Sequence, residues 1–307
     1  MAGSAKVKKK KKSIYRTREL HIMLIPAVVL TALFCYLPIG GLIMAFQDFK
    51  PLLGFKESKF VGLDQFRYIL TMPSFRQAFV NTIIIAFFKI ILSILVPLIL
   101  SLMLNEVTKS WFKRSVQTIV FIPYFFSWAI LAGMVLEIFA YDGVINNVLE
   151  AVFGAERIAF LVSNKYFRTI IIGSDVWKGM GYNTVLLLAA ITNVDPTLHE
   201  AAQVDGAGRW KQMIHVTLPG IMPIVAVLTV LGLGGILNAG FEQILIMYNP
   251  TVERTVDILD TLVYRLGMVS HQYSAASAMG LFKSLISLGF VGISYWILYK
   301  KSDYRVF

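Results

Sequence analysis

The residues with chemistry to offer lie where solvent is scarce. Asp175, Trp177, Lys178 and Asn183 interrupt one long apolar run, and Asn238, Phe241, Glu242 and Gln243 stand near the end of another. A charge facing lipid costs roughly 3 kcal/mol or more, so each of these groups needs a partner or a wet surface. Two readings meet that need. Asp175 and Lys178 are three apart, near neighbours on one helix face, and can form an internal ion pair. Alternatively, Asp175, Lys178, Asn183, Asn238, Glu242 and Gln243 face a water-filled passage and hydrogen-bond a polar solute, with Trp177 and Phe241 stacked against its ring. In the first reading these two aromatics are core packing. Lys89, Glu137 and Lys283 complete the charges inside apolar runs, three of each sign in all.

Catalytic and metal chemistry find no support. The chain has no G-x-x-x-x-G-K-[ST] loop and so no Walker cradle for a nucleotide. Its four histidines, His21, His199, His215 and His271, are scattered, and Cys35 is the single cysteine. No catalytic residue, metal or cofactor is implied. Asp257 and Asp260, one helical turn apart, read as a solvated face or a docking contact.

A second polar feature is an island between apolar segments, from Glu200 through Ala201, Ala202, Asp205, Gly206, Ala207, Gly208, Arg209 and Trp210 to Leu218, Pro219 and Pro223. Asp195 ahead of Pro196 caps a helix start, and Thr197 with Glu200 offers a competing capping box. Gly206 and Gly208 permit a sharp reversal. A second helix fits Arg209 to Val216, with Pro219 as its stop. Trp210, Met213 and Ile214 share one side of it, an apolar surface too small for its own core. It suits either a docked partner protein or lipid headgroups.

These features hang on an apolar scaffold. The 307 residues are 57% apolar with a net charge of +11, and the mean hydropathy is +0.68, the profile of an integral membrane protein. Spans of about twenty residues fit 21–46, 79–104, 116–139 with a kink at Pro123, 167–192, 221–247 and 276–299. Sixteen basic residues fall on the side that carries both termini, against ten on the other side in longer loops. That bias places both termini and the Glu200 loop in the cytoplasm. The domain reading is a basic tail over 1–19 and a membrane domain over 20–307, with the polar loop at 193–223.

The order E-A-A-x-x-D-G-A followed by L-P, carried by Glu200, Ala201, Ala202, Asp205, Gly206, Ala207, Leu218 and Pro219, resembles the cytoplasmic coupling loop of the permease subunits of binding-protein-dependent ABC importers. The segment from Phe60 to Phe66 resembles the F-V-G-L-[DE]-x-[FY] stretch of sugar-importer permeases. The region from Phe241 to Ala278 resembles the end of carbohydrate-importer subunits, apart from Tyr248-Asn249-Pro250, where many relatives have a glycine-rich turn. The resemblance implies an all-α, maltose-transporter-like type I fold of about six transmembrane helices with cytoplasmic coupling helices. It implies carbohydrate or oligosaccharide uptake across the cell membrane of a bacterium or archaeon. The partners implied are a cytoplasmic ATP-binding subunit dimer seated on Glu200 and Gly206, a second and non-identical permease, and an external solute-binding protein. The alternative is an ion-gradient-driven transporter with Asp175 and Glu242 as proton carriers.

Overall fold

The computed structural model describes residues 18–235 and 237–301. The basic run of the tail, up to residue 17, lies outside them, as do the last six residues. Helix α1 (Arg18–Thr31) passes through a π turn at Ala32–Tyr36 into a 3-10 stretch at Leu37–Phe46. The tightening coincides with Pro38, Gly40 and Gly41, residues that weaken an α-helical ladder. Leu20–Phe46 is therefore one apolar rod of 27 residues, its most apolar window unburied within the chain.

A two-stranded antiparallel ribbon follows, β1 (Gln47–Asp48) pairing with β2 (Lys59–Phe60), with α2 (Gly54–Glu57) between them. The Phe60–Phe66 segment is thus strand, turn and helix. Gly62 takes φ +61° at the turn, and α3 (Asp64–Thr71) sets Phe66 against Phe46 at 5.4 Å between ring centres.

Helix α4 (Pro73–Glu106) is the 34-residue axis of the molecule. Proline at its first turn suits a position whose N–H has no helical partner. The third span is broken rather than kinked. Helix α5 (Ser110–Phe121) tightens into a 3-10 turn at Ile122–Phe125, and α6 (Trp128–Ile138) leaves at 110°. Pro123 supplies no N–H, Phe126 and Ser127 are extended, and the helix does not resume in line.

Beyond α7 (Val144–Phe153), closed by left-handed Gly154, lies α8 (Phe167–Thr192). At 26 residues α8 is long enough to cross a bilayer, yet it is less apolar than the others because its neighbours are protein. Ile170, Ile171, Val176, Leu187, Leu188 and Ile191 are buried against α4 and its surroundings.

Helices α9 (Pro196–Val204), α10 (Arg209–Gln212) and α11 (Leu218–Gly234) come next, then α12 (Phe241–Met247), α13 (Glu253–Val256), α14 (Leu259–Tyr264) and α15 (Tyr273–Lys301). Among the described residues four helices are long and apolar enough to cross a membrane, five if the bent pair counts as one span. The remaining expected span is α8, which has the length without the same apolar character. Two boundaries move. The fifth span runs Arg209–Gly234 and stops short of Met247. The predicted external loop 248–275 is largely packed structure, with Val252, Val256, Ile258, Leu259 and Leu262 buried in it.

The tightest approach in the bundle is at Gly181. A Cβ there would overlap the Val120 carbonyl and lie 2.6 Å from the Phe121 Cα. Backbone atoms cannot swing aside, and overpacking costs about 1–3 kcal/mol. Gly181→Ala is expected to lower the thermal midpoint of the detergent-solubilised protein by several degrees, whereas Gly179→Ala, with open space at its Cβ, leaves it within a degree.

Candidate functional site

The polar island folds as a helical hairpin. Asp195 Oδ1 accepts the Thr197 N–H at 2.9 Å, so Asp195 is the cap and Thr197 lies inside the first turn. That hydrogen bond holds the Asp195 carboxyl below its ordinary range. Helix α9 ends where Gly206 takes φ +75°. The Ala207 N–H reaches back to the Ala202 carbonyl at 2.8 Å and the Gly206 N–H to Gln203 at 3.0 Å. These paired bonds are a Schellman closure, which favours glycine at the left-handed position. Gln212 Nε2 then donates to the Ala207 carbonyl at 2.7 Å and fixes the reversal.

Pro219 does not end the second helix. Residues 209–234 form one rod, with a π turn at Met213–Thr217 just ahead of Leu218 and Pro219. Such a turn shifts the hydrogen-bond register where proline has no N–H to give. Glu200, Ala201, Asp205, Gly206 and Pro219 are exposed, while Ala202, Ala207 and Leu218 are half-buried. Val204 is 88% and Trp210 70% exposed, an unpartnered apolar surface on an otherwise polar hairpin. A cavity of about 440 Å³ separates the hairpin from the end of α4, lined by Asn105, Glu106, His199, Gln203, Arg209 and Gln212 among others.

Within the bundle the predicted Asp175–Lys178 pair is not made. Asp175 pairs with Lys89 of α4 at 3.2 Å, and Lys178 donates instead to the Phe126 carbonyl at the break between α5 and α6. Lys89 is the centre of a cluster. Its ammonium, on a residue 6% exposed, also donates to the Ala239 carbonyl at 2.9 Å and to Gln243 Oε1 at 2.5 Å. Gln243 Nε2 continues to the Ile171 carbonyl at 2.7 Å and to Ser174 Oγ at 2.8 Å. Gly240 permits this arrangement. It sits at φ +99°, and a Cβ on it would lie 2.5 Å from Lys89 Nζ.

Of the eight predicted passage residues, Gln243 is fully buried and Asp175 is paired. Asn183 donates to the Ser93 carbonyl at 3.0 Å, and Trp177 packs on the main core. Glu242 is exposed. Asn238 and Phe241 line a cavity of about 660 Å³ together with Asp260, Tyr264, Tyr273 and Ser277. Lys283 bridges Asn238 Oδ1 at 2.7 Å and Asp260 Oδ1 at 2.5 Å.

Sequence reasoning placed Lys89 and Lys283 among charges in need of partners and left both off the site. The available signal was a glycine-rich break beside them. The solvated-face reading of Asp257 and Asp260 is overturned. Asp257 is buried, bonded to Thr261 at 2.7 Å and paired with Arg265 at 2.6 Å, and burial pushes its carboxyl up. Asp260 belongs to Lys283.

Comparison with known proteins follows the same lines. Residues 93–300 match the family model of the binding-protein-dependent transport system inner membrane component. The chain is 39% identical over 275 residues to the polygalacturonan/rhamnogalacturonan transport system permease protein YteP of Bacillus subtilis, covering 90% of this chain and 86% of that one. It superimposes with a TM-score of 0.87 and 37% identity on a chain of a bacterial ABC transporter involved in the import of the acidic polysaccharide alginate, covering 94% and 98% of the two chains. A second structure, of a bacterial alginate ABC transporter in complex with alginate pentasaccharide-bound periplasmic protein, matches with a TM-score of 0.87 and 36% identity over 95% and 98%.

Removing one partner of a buried pair costs about 3–5 kcal/mol, while removing both is much milder. Asp175 is partly exposed, so Lys89→Met is expected near the low end, about 3 kcal/mol. Lys89→Met with Asp175→Asn should recover about 1 kcal/mol or more. Unfolding of the wild type, the two single variants and the double variant in mixed micelles checks this cycle, and a double variant no more stable than Lys89→Met would contradict the pairing.

Proposed function

The chain belongs to the family of binding-protein-dependent transport system inner membrane components, and from that premise we propose that it is one of two non-identical permease subunits of an ATP-driven importer of an oligosaccharide. It sits in the bacterial plasma membrane with both termini in the cytoplasm. An external solute-binding protein delivers the sugar, and a cytoplasmic ATPase dimer supplies the energy. The family leaves no place for the ion-gradient alternative. The relatives support the sugar, since one is a polygalacturonan/rhamnogalacturonan permease and two structures are of alginate importers.

The observation that carries the reading is the hairpin at Asp195–Thr217. Its exposed Glu200, Val204 and Trp210 are presented on a reversal closed by Gly206, and its second arm runs without interruption into the Arg209–Gly234 rod. In this reading the ATPase grips the hairpin through Glu200, Ala201, Ala202, Asp205, Gly206 and Ala207, and Leu218 and Pro219 lie where the grip passes into the membrane. ATP-driven closure of the ATPase dimer moves the hairpin, and the rod carries that motion to the turn at Gly240 ahead of α12. The cavity lined by Asn238 and Phe241 lies beside that break. Aromatic rings with hydrogen-bonding groups suit a sugar, whose faces are apolar and whose rim is polar.

Co-purification of the tagged chain from native membranes tests the assignment. An ATPase with a Walker motif should come down with the wild type and be lost on joint replacement of Glu200 and Gly206. A chain that purifies alone would overturn the reading. Gly206→Val is expected to insert normally yet reduce sugar uptake to background. A β-branched residue at φ +75° is strained by about 1–2 kcal/mol, and the reversal opens. Uptake at the wild-type rate in that variant would remove the hairpin from the coupling role.

A further inference from the structure

Lys89, Lys178 and Lys283 lie within the apolar runs, and their partners differ. Lys89 is paired with Asp175 and Lys283 with Asp260. Among the described residues no carboxylate pairs with Lys178. Its ammonium donates to the Phe126 carbonyl, at the surface of the single chain, and stands 5.3 Å from the centre of the Trp128 ring. An ammonium has three donors, so two stay unspent.

The surroundings are aromatic and open. Tyr124 stacks on Tyr182 at 4.8 Å and 12°, and Phe125, which is 72% exposed, packs edge-on to Tyr124. The Tyr124 and Tyr182 rings are themselves well exposed. Gly181 brings the end of α5 into backbone contact with α8 and so holds this group together. Irregular backbone at membrane depth persists only where protein covers it or where it lines a watery cavity. This break is not covered by the chain itself, and two phenols and an ammonium are costly against lipid.

We propose that Lys178 and the exposed rings at the bend, Phe125 and Tyr182, form a subsite of the passage that reads the carboxylate of an acidic sugar unit, with the buried Trp128 behind the ammonium. The ammonium takes the carboxylate while remaining tethered to Phe126, and the exposed Phe125 and Tyr182 rings receive the C–H face of the pyranose ring. This rests on the importer reading above and narrows its cargo to uronate-containing chains.

The test separates the two readings. The complex of both permeases and the ATPase is purified, and binding of labelled trigalacturonate or its methyl ester is measured by equilibrium dialysis without the binding protein. ATP-driven uptake is followed in parallel in proteoliposomes with the binding protein present. The wild type is expected to bind the free acid at least tenfold more tightly than the ester. Lys178→Gln should erase that preference, and Lys178→Arg should keep it within threefold of wild type. Equal affinity of the wild type for acid and ester, an undiminished preference in Lys178→Gln, or uptake of sugar with no galacturonide bound at all would overturn the subsite and leave the importer standing. Absence of any ATP-driven sugar uptake would instead overturn the importer. Should Lys178→Gln fail to assemble, the acid-to-ester comparison on wild type and Lys178→Arg decides.

Discussion

The bundle is organised by one demand, that the buried ammonium of Lys89 be satisfied. It lies near the middle of α4 and reaches three other pieces of chain: the carboxylate of Asp175 on α8, the carbonyl of Ala239 at the break after α11, and the amide of Gln243 on α12. A buried charge left short of partners costs several kcal/mol, and a fully bonded one restricts the positions of everything it touches. Glycine at 240 follows from that restriction. The chain must turn through a left-handed residue there, and no side chain fits between Gly240 and the lysine.

Both broken spans solve the same problem in the same way. Where α5 gives way to α6, the Phe126 carbonyl loses its helical partner and a lysine of α8 takes it. Where α11 gives way to α12, the Ala239 carbonyl does the same and a lysine of α4 takes it. In water such carbonyls would be solvated at no structural cost. Within the bundle each takes a donor on a long side chain from a neighbour, and lysine has the reach. The two breaks differ in what remains. At Ala239 the lysine is neutralised by Asp175. At Phe126 no carboxylate among the described residues pairs with it, so one break is a joint and the other is open to an anion.

Much of this was legible from the sequence because local rules act strongly at particular residues. Asp195, Pro196 and Gly206 announced the hairpin, and the structure closes it with the bonds those residue types favour. Apolar length gave the spans, and charge balance flagged the six membrane residues that needed partners. Partner choice was not legible. Asp175 lies three residues from Lys178 yet pairs across helices with Lys89, because a local ion pair is worth only about 0.5 kcal/mol on a helix surface, whereas Lys89 is buried and had no other carboxylate. The loop after Met247 misled for a related reason. Its Asp257 and Asp260 read as a solvated face or a docking contact, but Asp257 pairs with Arg265 and Asp260 with Lys283 while the apolar residues between them fill the core.

Proline was the other source of error, and its resolution bears on mechanism. At Pro123 the helix truly breaks, yet at Pro219 it continues, because a π turn absorbs the missing N–H. Had Pro219 ended a helix, a flexible joint would separate the hairpin from the membrane, and motion at Glu200 would dissipate there. With the rod intact from Arg209 to Gly234, about 39 Å at 1.5 Å per residue, displacement at the hairpin end arrives at the residues clamped by Lys89. That clamp is three bonds deep and positioned beside the Asn238–Phe241 cavity. A rigid arm ending on a bonded joint delivers its motion to the joint rather than to the arm. The first place to yield under load is therefore the left-handed turn at Gly240, where the rod has ended and α12 has not begun.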